Sequence, residues 1–503
     1  MVLSASLHHC NSKLPPPSPC TLPSLLQRRN ACFLRLADRR ISSKIAIVSA
    51  SISDVYSYEG AVDYETRPML NWKGVCRKIC SMENPDMGAG SVLNDCATDG
   101  KKFSRWDLFK VIKELRKYRR YRQALEVFEW MSSRDGRYQL SVSNAAIQLD
   151  LIAKVRGISA AEKFFQDISS TLKDGRVYGA LLNCYVRGRM LEKSEALLEA
   201  MRAKGFATQA LTFNVIMTLY MKLKQHDKVE RMVSEMMSKN VQLDIYSYNI
   251  WLSSRGSQGS VDKMEQVFDL MVLDKTINPN WSTFTTMATM YVKIGQIEKA
   301  EDSLKKAEGR ITGRDRIPYH YLLSLYGTCG NKEEVYRVWS MYKAAFATIP
   351  NLGYHSIISS LVRIGDIEGA ETMYEDWLQS KPKYDPRIAN LLMGFYAKQG
   401  NVDKAEKMLR HIGEMGGTPT AQTWEIMAEA NLMQRRLVEA IPYLENAFAA
   451  ADESKGWKLK RGMLSLYLEL CEEEGNVDGK EAVLGLCRLA GYLEDEAYTS
   501  LIG

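Results

Sequence analysis

The amino-acid sequence predicts an all-α protein, a solenoid of about eleven helix–turn–helix hairpins, and three series of residues carry this prediction. The aromatic series steps by 35, 35, 36, 35 and 35 residues through Tyr178, Phe213, Tyr248, Phe284, Tyr319 and Tyr354. The glycine series steps by 36, 35, 35 and 35 residues through Gly259, Gly295, Gly330, Gly365 and Gly400. The methionine series steps by 35 residues through Met201, Met236 and Met271. Three independent series with one period indicate a structural repeat.

Residues 210–244 show how one unit is built. The first half places four apolar side chains at helical spacing on one face, namely Phe213, Ile216, Met217 and Tyr220. A polar turn follows at 224–227, and the second half again places four on one face, namely Val229, Met232, Val233 and Met236. In other units a glycine stands in the turn, where it can end the first helix at positive φ. A unit cannot bury its apolar face alone, so neighbouring units must stack along one axis.

The phase of the repeat sets the hairpin boundaries. We predict hairpins at 105–141, 142–174, 175–209, 210–244, 245–280, 281–315, 316–350, 351–385, 386–420, 421–460 and 461–496. A small residue recurs early in the second helix, where it lets two helices approach closely: Ala300, Ala370, Ala405 and Ala440. The repeat array therefore spans 105–496, and its least regular units lie at the two ends, as expected of caps.

Three segments lie outside the array. Residues 1–50 form a leader, 51–104 a non-repeat N-terminal segment and 497–503 a C-terminal tail. In the N-terminal segment, Gly88 and Gly90 predict breaks, and a short helix is expected near 72–82.

The leader carries most of the net charge of +7, because residues 1–50 hold seven basic side chains and only one acid. It is rich in Ser, Leu, Arg and Pro, a composition typical of an organelle transit peptide. We predict cleavage near Ser51 and a chloroplast location, with the mitochondrion as the alternative. The rest of the chain has a net charge of only +1, so a nucleic-acid function must rest on where the charge lies.

Catalytic and membrane motifs are missing from the sequence. It contains no Gly-rich phosphate loop followed by Lys-Ser/Thr, no His-x-Glu with Cys-x-x-Cys and no apolar run long enough to span a bilayer. Cys76 and Cys80 lie four residues apart, but no histidine lies nearby to complete a zinc site. The ten cysteines form no disulfide framework. We therefore expect no enzyme activity, no metal, no cofactor, no membrane partner and no small-molecule substrate.

The consensus of the units resembles the pentatricopeptide repeat (PPR). The resemblance covers 105–496 and is most specific where Thr212-Phe213-Asn214 is followed by Asp244, and Ser247-Tyr248-Asn249 by Asn280. Units of nearly constant length are similar to the P class of plant organelles. The resemblance implies a right-handed superhelix whose first helices line the concave face and bind single-stranded RNA, one base per repeat.

The resemblance also implies a role for individual residues. In the family, the fifth and last residues of a repeat read the base edge, which here pairs Asn214 with Asp244, Asn249 with Asn280, and Thr285 with Asp315. These three adjacent repeats are expected to prefer 5′-U-(C/U)-G-3′. The second residue packs against bases, which gives Leu211 and Tyr246 as stacking residues, while Ser282 in the third repeat would stack poorly. The neighbouring repeats, with His320 and His355 at the fifth position, have no standard pair.

A basic stretch precedes the regular repeats. Residues 101–122 hold ten basic and two acidic side chains, and the candidates for phosphate contact are Arg116, Lys117, Arg119 and Arg120. The alternative for this stretch is a solvated helix face. The alternative for the whole chain is a helical-repeat scaffold that binds proteins in an organelle ribonucleoprotein. The expected partners are single-stranded organelle RNA and other RNA-processing proteins.

Overall fold

The computed structural model describes residues 72–82, 88–99, 103–134, 138–380, 384–451, 457–492 and 498. The predicted leader, its cleavage site and most of the predicted tail lie outside these residues. The described part contains 24 α-helices and one 3₁₀ turn, Ser170–Leu172, and no strand. The all-α prediction is confirmed. None of the described helices is both long and apolar enough to cross a bilayer.

The helices pair in chain order, with odd-numbered helices first in each hairpin and even-numbered helices second. The first six are α1 (Trp72–Cys80), α2 (Gly88–Thr98), α3 (Arg105–Lys117), α4 (Tyr121–Ser132), α5 (Val142–Val155) and α6 (Ile158–Asp167). The next eight are α7 (Gly175–Arg187), α8 (Leu191–Ala203), α9 (Ala210–Lys222), α10 (His226–Ser238), α11 (Ile245–Ser257), α12 (Val261–Leu273), α13 (Trp281–Ile294) and α14 (Ile297–Glu308).

The last ten helices continue the same alternation. They are α15 (Ile317–Cys329), α16 (Lys332–Ala345), α17 (Asn351–Ile364), α18 (Ile367–Gln379), α19 (Pro386–Lys398), α20 (Val402–Glu414), α21 (Ala421–Met433), α22 (Leu437–Ala449), α23 (Arg461–Glu474) and α24 (Val477–Leu489). Two helices thus fall within each of the eleven hairpin ranges expected from the repeat.

The helix α2 was not expected from the sequence, where its glycines were interpreted as breaks. Gly88 does begin the helix with a φ of +69°. A Cβ on Gly90 would lie 3.8 Å from the Trp130 ring, an ordinary van der Waals distance, so the contact of α2 with α4 does not require a glycine at this position. The backbone N–H of Ala89 donates to Glu126 at 2.7 Å. With α1, this helix forms a twelfth hairpin that packs against α3 and α4 at the N-terminal end of the stack.

First helices and second helices pack differently along the stack. From α5 to α21, each first helix packs directly against the first helix of the next hairpin, whereas consecutive second helices over this span make few contacts or none. The first helices come so close that a Cβ on Gly256 would lie 2.4 Å from Met290, and one on Gly327 2.5 Å from Ser360. Because the first helices are the more closely spaced, they lie on the inner, concave side of the stack.

The turn glycines and the small residues of the second helices have the predicted roles. Gly295, Gly330 and Gly365 end their first helices at φ values of 86°, 82° and 93°, in the left-handed region that favours glycine. The alanines expected at the close helix contact are fully buried: Ala300, Ala370, Ala405 and Ala440.

Polar clamps join neighbouring hairpins at five joints of the stack on the outer side. A glutamate of one second helix accepts hydrogen bonds from a tyrosine of the next first helix and from a lysine of the next second helix. Glu265 accepts from Tyr291 and from Lys299, both at 2.8 Å. These bonds, led by the bond from Lys299 and opposed by partial burial, lower the pKa of Glu265. Similar clamps centre on Glu162, Glu195, Glu308 and Glu371.

Candidate nucleic-acid interface

Charge is segregated between the two kinds of helix in the nine hairpins from α3 to α20. We call α3, α5, α7, α9, α11, α13, α15, α17 and α19 the first-helix layer, and the nine second helices paired with them the second-helix layer. The first-helix layer contains 14 basic and 3 acidic residues, and the second-helix layer contains 16 basic and 26 acidic residues. The almost neutral array therefore has a basic concave side and an acidic outer side, the distribution that a bound polyanion requires.

The first predicted base-reading pair forms a closed hydrogen-bond network. Asn214 is 2% exposed, and its Nδ2 donates to Asp244 Oδ1 at 2.9 Å. Ser247 of the next hairpin donates from Oγ to Asn214 Oδ1 at 2.8 Å. The structure thus brings the two predicted residues together, and it adds Ser247 to them, which the sequence interpretation had missed. The signal for it is a small hydroxyl residue 33 positions after the asparagine.

The last residue of the repeat has a structural role that does not depend on any ligand. Asp244 is the N-cap of α11, and its carboxylate accepts the backbone N–H of Ser247 at 2.8 Å. Other residues at or near this position cap the following first helix with their side chains in the same way: Asp174, Asn280, Asp385 and Thr420. Aspartate and asparagine are favoured at N-caps in general, so the sequence pattern at this position reports a capping requirement as well as any base preference.

The second predicted pair, Asn249 and Asn280, is linked through the side chain of Ser282. Asn249 donates from Nδ2 to Ser282 Oγ at 3.1 Å, and Ser282 donates in turn to Asn280 Oδ1 at 2.7 Å. Asn249 Oδ1 is buried and has no hydrogen-bond partner among the described residues. An unpaired buried acceptor is unfavourable, so this amide oxygen is poised to accept from a donor brought by a ligand.

The third pair is not joined. Thr285 is 4% exposed, and its hydroxyl donates to the backbone carbonyl of Ser282 at 3.1 Å. Asp315 accepts the backbone N–H of Ile317 at 2.9 Å. The described contacts contain no hydrogen bond between Thr285 and Asp315.

The two predicted stacking residues differ in exposure. Tyr246 is 39% exposed and can contact a base, whereas Leu211 is half-buried and packs against the hydrophobic core. The same second position of other hairpins holds three exposed apolar side chains that the sequence interpretation did not single out: Trp106, Ile317 and Leu352. The repeat phase alone could have identified them.

The basic candidates divide into two groups. Lys117, Arg119 and Arg120 are exposed, although Lys117 lies 3.5 Å from Glu114. Arg116 belongs instead to a cluster around Asp150, in which three basic side chains from three successive first helices approach one carboxylate. The distances are 2.8 Å for Lys154, 3.1 Å for Arg187 and 3.6 Å for Arg116.

The Asp150 cluster carries an excess of positive charge. Burial lowers the pKa of Lys154, and Arg187 and Arg116 add to this against the opposing effect of Asp150. Burial, Arg189 and Arg187 likewise lower the pKa of Lys222 on the next first helix. An anion at this surface would relieve the repulsion.

These basic residues belong to a series that the sequence interpretation did not single out. A basic residue recurs in the last turn of the first helix at Lys154, Arg187, Lys222, Arg255, Lys293, Arg363 and Lys398. A cation at this place also interacts favourably with the helix dipole, so part of the series has a purely structural cause.

The cysteines considered for a metal site do not form one with their neighbours. Cys76 is buried and Cys80 exposed, and burial together with the nearby Cys80 raises the pKa of the Cys76 thiol to about 12. In the part of the chain that the structure describes, no three His, Cys, Asp or Glu side chains are grouped so that they could hold a metal ion.

Comparison with known proteins gives consistent matches. The model of the PPR repeat family matches residues 208–255, and the PPR repeat model matches 176–206, 282–310, 354–381 and 388–417. The chain is 55% identical over 502 residues to a pentatricopeptide repeat-containing protein of Arabidopsis thaliana, covering 100% of this chain and 94% of the relative.

Two further Arabidopsis thaliana relatives are more distant. A pentatricopeptide repeat-containing protein named as mitochondrial is 32% identical over 427 residues, covering 85% of this chain and 86% of the relative. The large ribosomal subunit protein mL101 (rPPR4) is 33% identical over 397 residues, covering 79% of this chain and 80% of the relative.

Proposed function

This chain belongs to the pentatricopeptide repeat family, and from that premise we propose that it is a non-catalytic protein that binds single-stranded RNA in a plant organelle. The observation that carries the proposal is the charge segregation. Basic residues outnumber acidic ones by 14 to 3 in the first-helix layer and are outnumbered 26 to 16 in the second-helix layer. A polyanion is attracted to the concave side and repelled from the outer side.

Phosphate contacts come from basic residues of the first helices and of the turn between α3 and α4. The exposed group is Lys117, Arg119 and Arg120, and the Asp150 cluster adds Arg116, Lys154 and Arg187 further along the groove. Such contacts give affinity without base selectivity and make binding sensitive to salt.

Base contacts come from the three hairpins of 210–315. Asn249 has the strongest structural support, because its unpaired Oδ1 can accept from an N–H of a pyrimidine, either N3–H of uracil or N4–H of cytosine. At Asn214, a base has to compete with Asp244 and Ser247, which already form hydrogen bonds with the amide group. The proposed preference, carried over from the family resemblance, is 5′-U-(C/U)-G-3′, with Tyr246 packing against a base.

The RNA-binding proposal is tested by selection from a pool of randomised RNA with the purified chain. We expect enrichment of RNAs that contain U-(C/U)-G, and binding that weakens steeply as salt is raised. Absence of measurable RNA affinity even at low salt contradicts the proposal.

For location, we propose import into the plastid, with the mitochondrion as the alternative. The acid-poor leader supports import into an organelle. A relative named as mitochondrial supports an organelle without choosing between the two. The test is a fusion of residues 1–60 to a fluorescent protein. A diffuse cytosolic signal contradicts import, and a mitochondrial signal selects the alternative.

A second candidate function is a protein-binding scaffold in an organelle ribonucleoprotein. The observation that favours it is the closure of the fifth position at Asn214, whose side chain is already bonded to Asp244 and Ser247. One relative is named as a large ribosomal subunit protein. The discriminating test is co-sedimentation with organelle ribosomal subunits before and after RNase treatment, set against affinity for free RNA.

A further inference from the structure

The basic character of the first helices ends abruptly after α19. The last two first helices, α21 and α23, contain one basic and six acidic residues, in contrast to the 14 basic and 3 acidic residues of the first-helix layer. Met433, which is 56% exposed, stands where Lys398 stands one repeat earlier. The sign of the charge therefore reverses on the concave side near the C-terminal end.

The fifth positions of these two hairpins are occupied by internal contacts. Glu425 holds the position in α21, is 2% exposed and accepts the backbone N–H of Lys460 at 3.0 Å. Lys460 Nζ lies 3.8 Å from Glu425 and 2.9 Å from Glu429. In α23, Ser465 holds the position and donates to Glu469 at 2.7 Å. Neither position offers a base the unpaired amide acceptor found at Asn249.

The packing between hairpins also changes near the C-terminal end, at the joint between α21 and α23. Up to α21 the first helices pack closely on each other, but α21 and α23 make few contacts, and their second helices, α22 and α24, pack together instead. The continuous surface of closely packed first helices thus stops one hairpin after the charge reverses.

We propose that the RNA path ends over α19, so that the acidic first helices α21 and α23 set the 3′ limit of the RNA footprint. This inference rests on the proposed function and on the parallel orientation of chain and RNA that the family resemblance implies. With one nucleotide per hairpin, the U-(C/U)-G triplet lies over α9, α11 and α13. Three more nucleotides then follow over α15, α17 and α19, and none over α21.

The experiment measures the affinity of the full chain for RNAs of fixed 5′ sequence that contain U-C-G and are extended at the 3′ end by one nucleotide at a time. We expect the affinity to rise up to the third nucleotide after G and then to stop rising. A continued gain from the fourth and fifth nucleotides overturns the inference while leaving RNA binding intact. Failure of every RNA to bind removes the proposed function and this inference with it.

A charge variant tests the cause of the limit. Met433→Lys places a basic residue at the exposed end of α21, and it should restore a gain from the fourth nucleotide and steepen the salt dependence by about 0.7 in log–log slope. The matched control is Val438→Lys, which adds the same charge to the second helix of the same hairpin, at a side chain that is 69% exposed. An equal response of the two variants, or no response to Met433→Lys, overturns the electrostatic explanation.

Discussion

The first-helix and second-helix layers are built from one repeat, yet they use their charged residues in different ways. In the second-helix layer, lysines are paired in clamps between hairpins, such as Lys228 with Glu195 and Lys299 with Glu265. In the first-helix layer, basic residues lie near each other, so that Lys222 has Arg187 and Arg189 as its charged neighbours. In the second-helix layer, charge joins neighbouring hairpins, whereas in the first-helix layer positive charge is in excess, as around Asp150.

The two layers also differ in which small residues they place at helix contacts. The second helices carry alanines where they meet the first helices, and the first helices carry glycines and serines where they meet each other, as at Gly327 and Ser360. Close packing is thus required on both sides, and on the inner side it is combined with buried polar groups such as Asn214 and Thr285. The predictions below separate the packing role of one layer from the binding role of the other.

The largest effect is expected from overpacking a second helix. Ala405 is fully buried, and Ala405→Leu should lower the free energy of unfolding by about 1–3 kcal/mol. Because neighbouring hairpins stabilise one another, the loss should broaden or lower the thermal transition of the whole array. The control is Ala203→Leu at the exposed end of α8, where a change within about 0.5 kcal/mol is expected. Equal melting temperatures for the two variants would show that Ala405 does not hold the close contact.

The next effect concerns base choice in the first-helix layer. Thr285→Asn should shift the preferred base at the third position from G to U. The variant changes the pair of Thr285 and Asp315 into an asparagine–aspartate pair, the combination that Asn214 and Asp244 form at the position expected to prefer U. A mismatch that leaves a buried polar group unpaired costs about 1–3 kcal/mol. The measurement is the selection from randomised RNA repeated with the variant. A motif that changes at several positions, or at none, contradicts base reading by this side chain.

A smaller effect is expected from one charge. Lys222→Gln should reduce the slope of log affinity against log salt by about 0.7, the value for one phosphate contact on single-stranded RNA. The fold should tolerate this change, since it removes repulsion from Arg187 and Arg189. Lys263→Gln, an exposed lysine of the second-helix layer, is the control and should leave the slope unchanged. If both variants change the slope alike, the two layers do not differ in their contact with RNA.

The smallest effect concerns the pH dependence of a clamp. The folded-state pKa of Glu265 lies below its usual value, so the clamp contributes its full stability at neutral pH and loses it as the pH falls through that lowered pKa. Glu265 and Lys299 are 36% and 51% exposed, which limits the contribution to at most about 1 kcal/mol.

The measurement is the melting temperature of wild type and Glu265→Gln at pH 7 and near pH 3. Glu265→Gln should melt at a lower temperature than wild type at pH 7, and the two melting temperatures should become equal near pH 3. Asp269→Asn on the same helix is the control and should show no such convergence. If the melting temperature of Glu265→Gln stays below that of wild type near pH 3, the effect comes from packing and not from the charge of Glu265.

Much of the fold was predictable because its signals are local. The apolar spacing of residues 210–244 placed both helices of that hairpin, and the turn glycines such as Gly330 marked the ends of first helices. The helix α2 was missed because Gly88 and Gly90 have the same local signature in a break as in a helix. The helix is held by tertiary contacts with α4, such as the hydrogen bond from Ala89 to Glu126.

The candidate site was predictable in part. The repeat phase placed Asn214 at the fifth and Asp244 at the last position of one repeat, and the structure joins them at 2.9 Å. The repeat phase did not show that Ser247 completes the network of Asn214 and Asp244, nor that Arg116 lies close to Asp150. The preference for aspartate at the end of a repeat has two physical causes, capping and base recognition, and the sequence pattern is the same for both.

The sequence by itself determined the period, the helices of the repeated hairpins and the excess of basic residues in the first helices, because each of these depends on residues within a single unit. Tertiary structure alone decided which polar groups are paired, as at Asn214 and Asn249, and where the groove surface ends, between α21 and α23. Those outcomes depend on contacts between residues about one repeat apart, such as Asn214 and Ser247, which are 33 positions apart. Such contacts form only when neighbouring hairpins pack at a particular distance and angle, and no local pattern specifies that geometry.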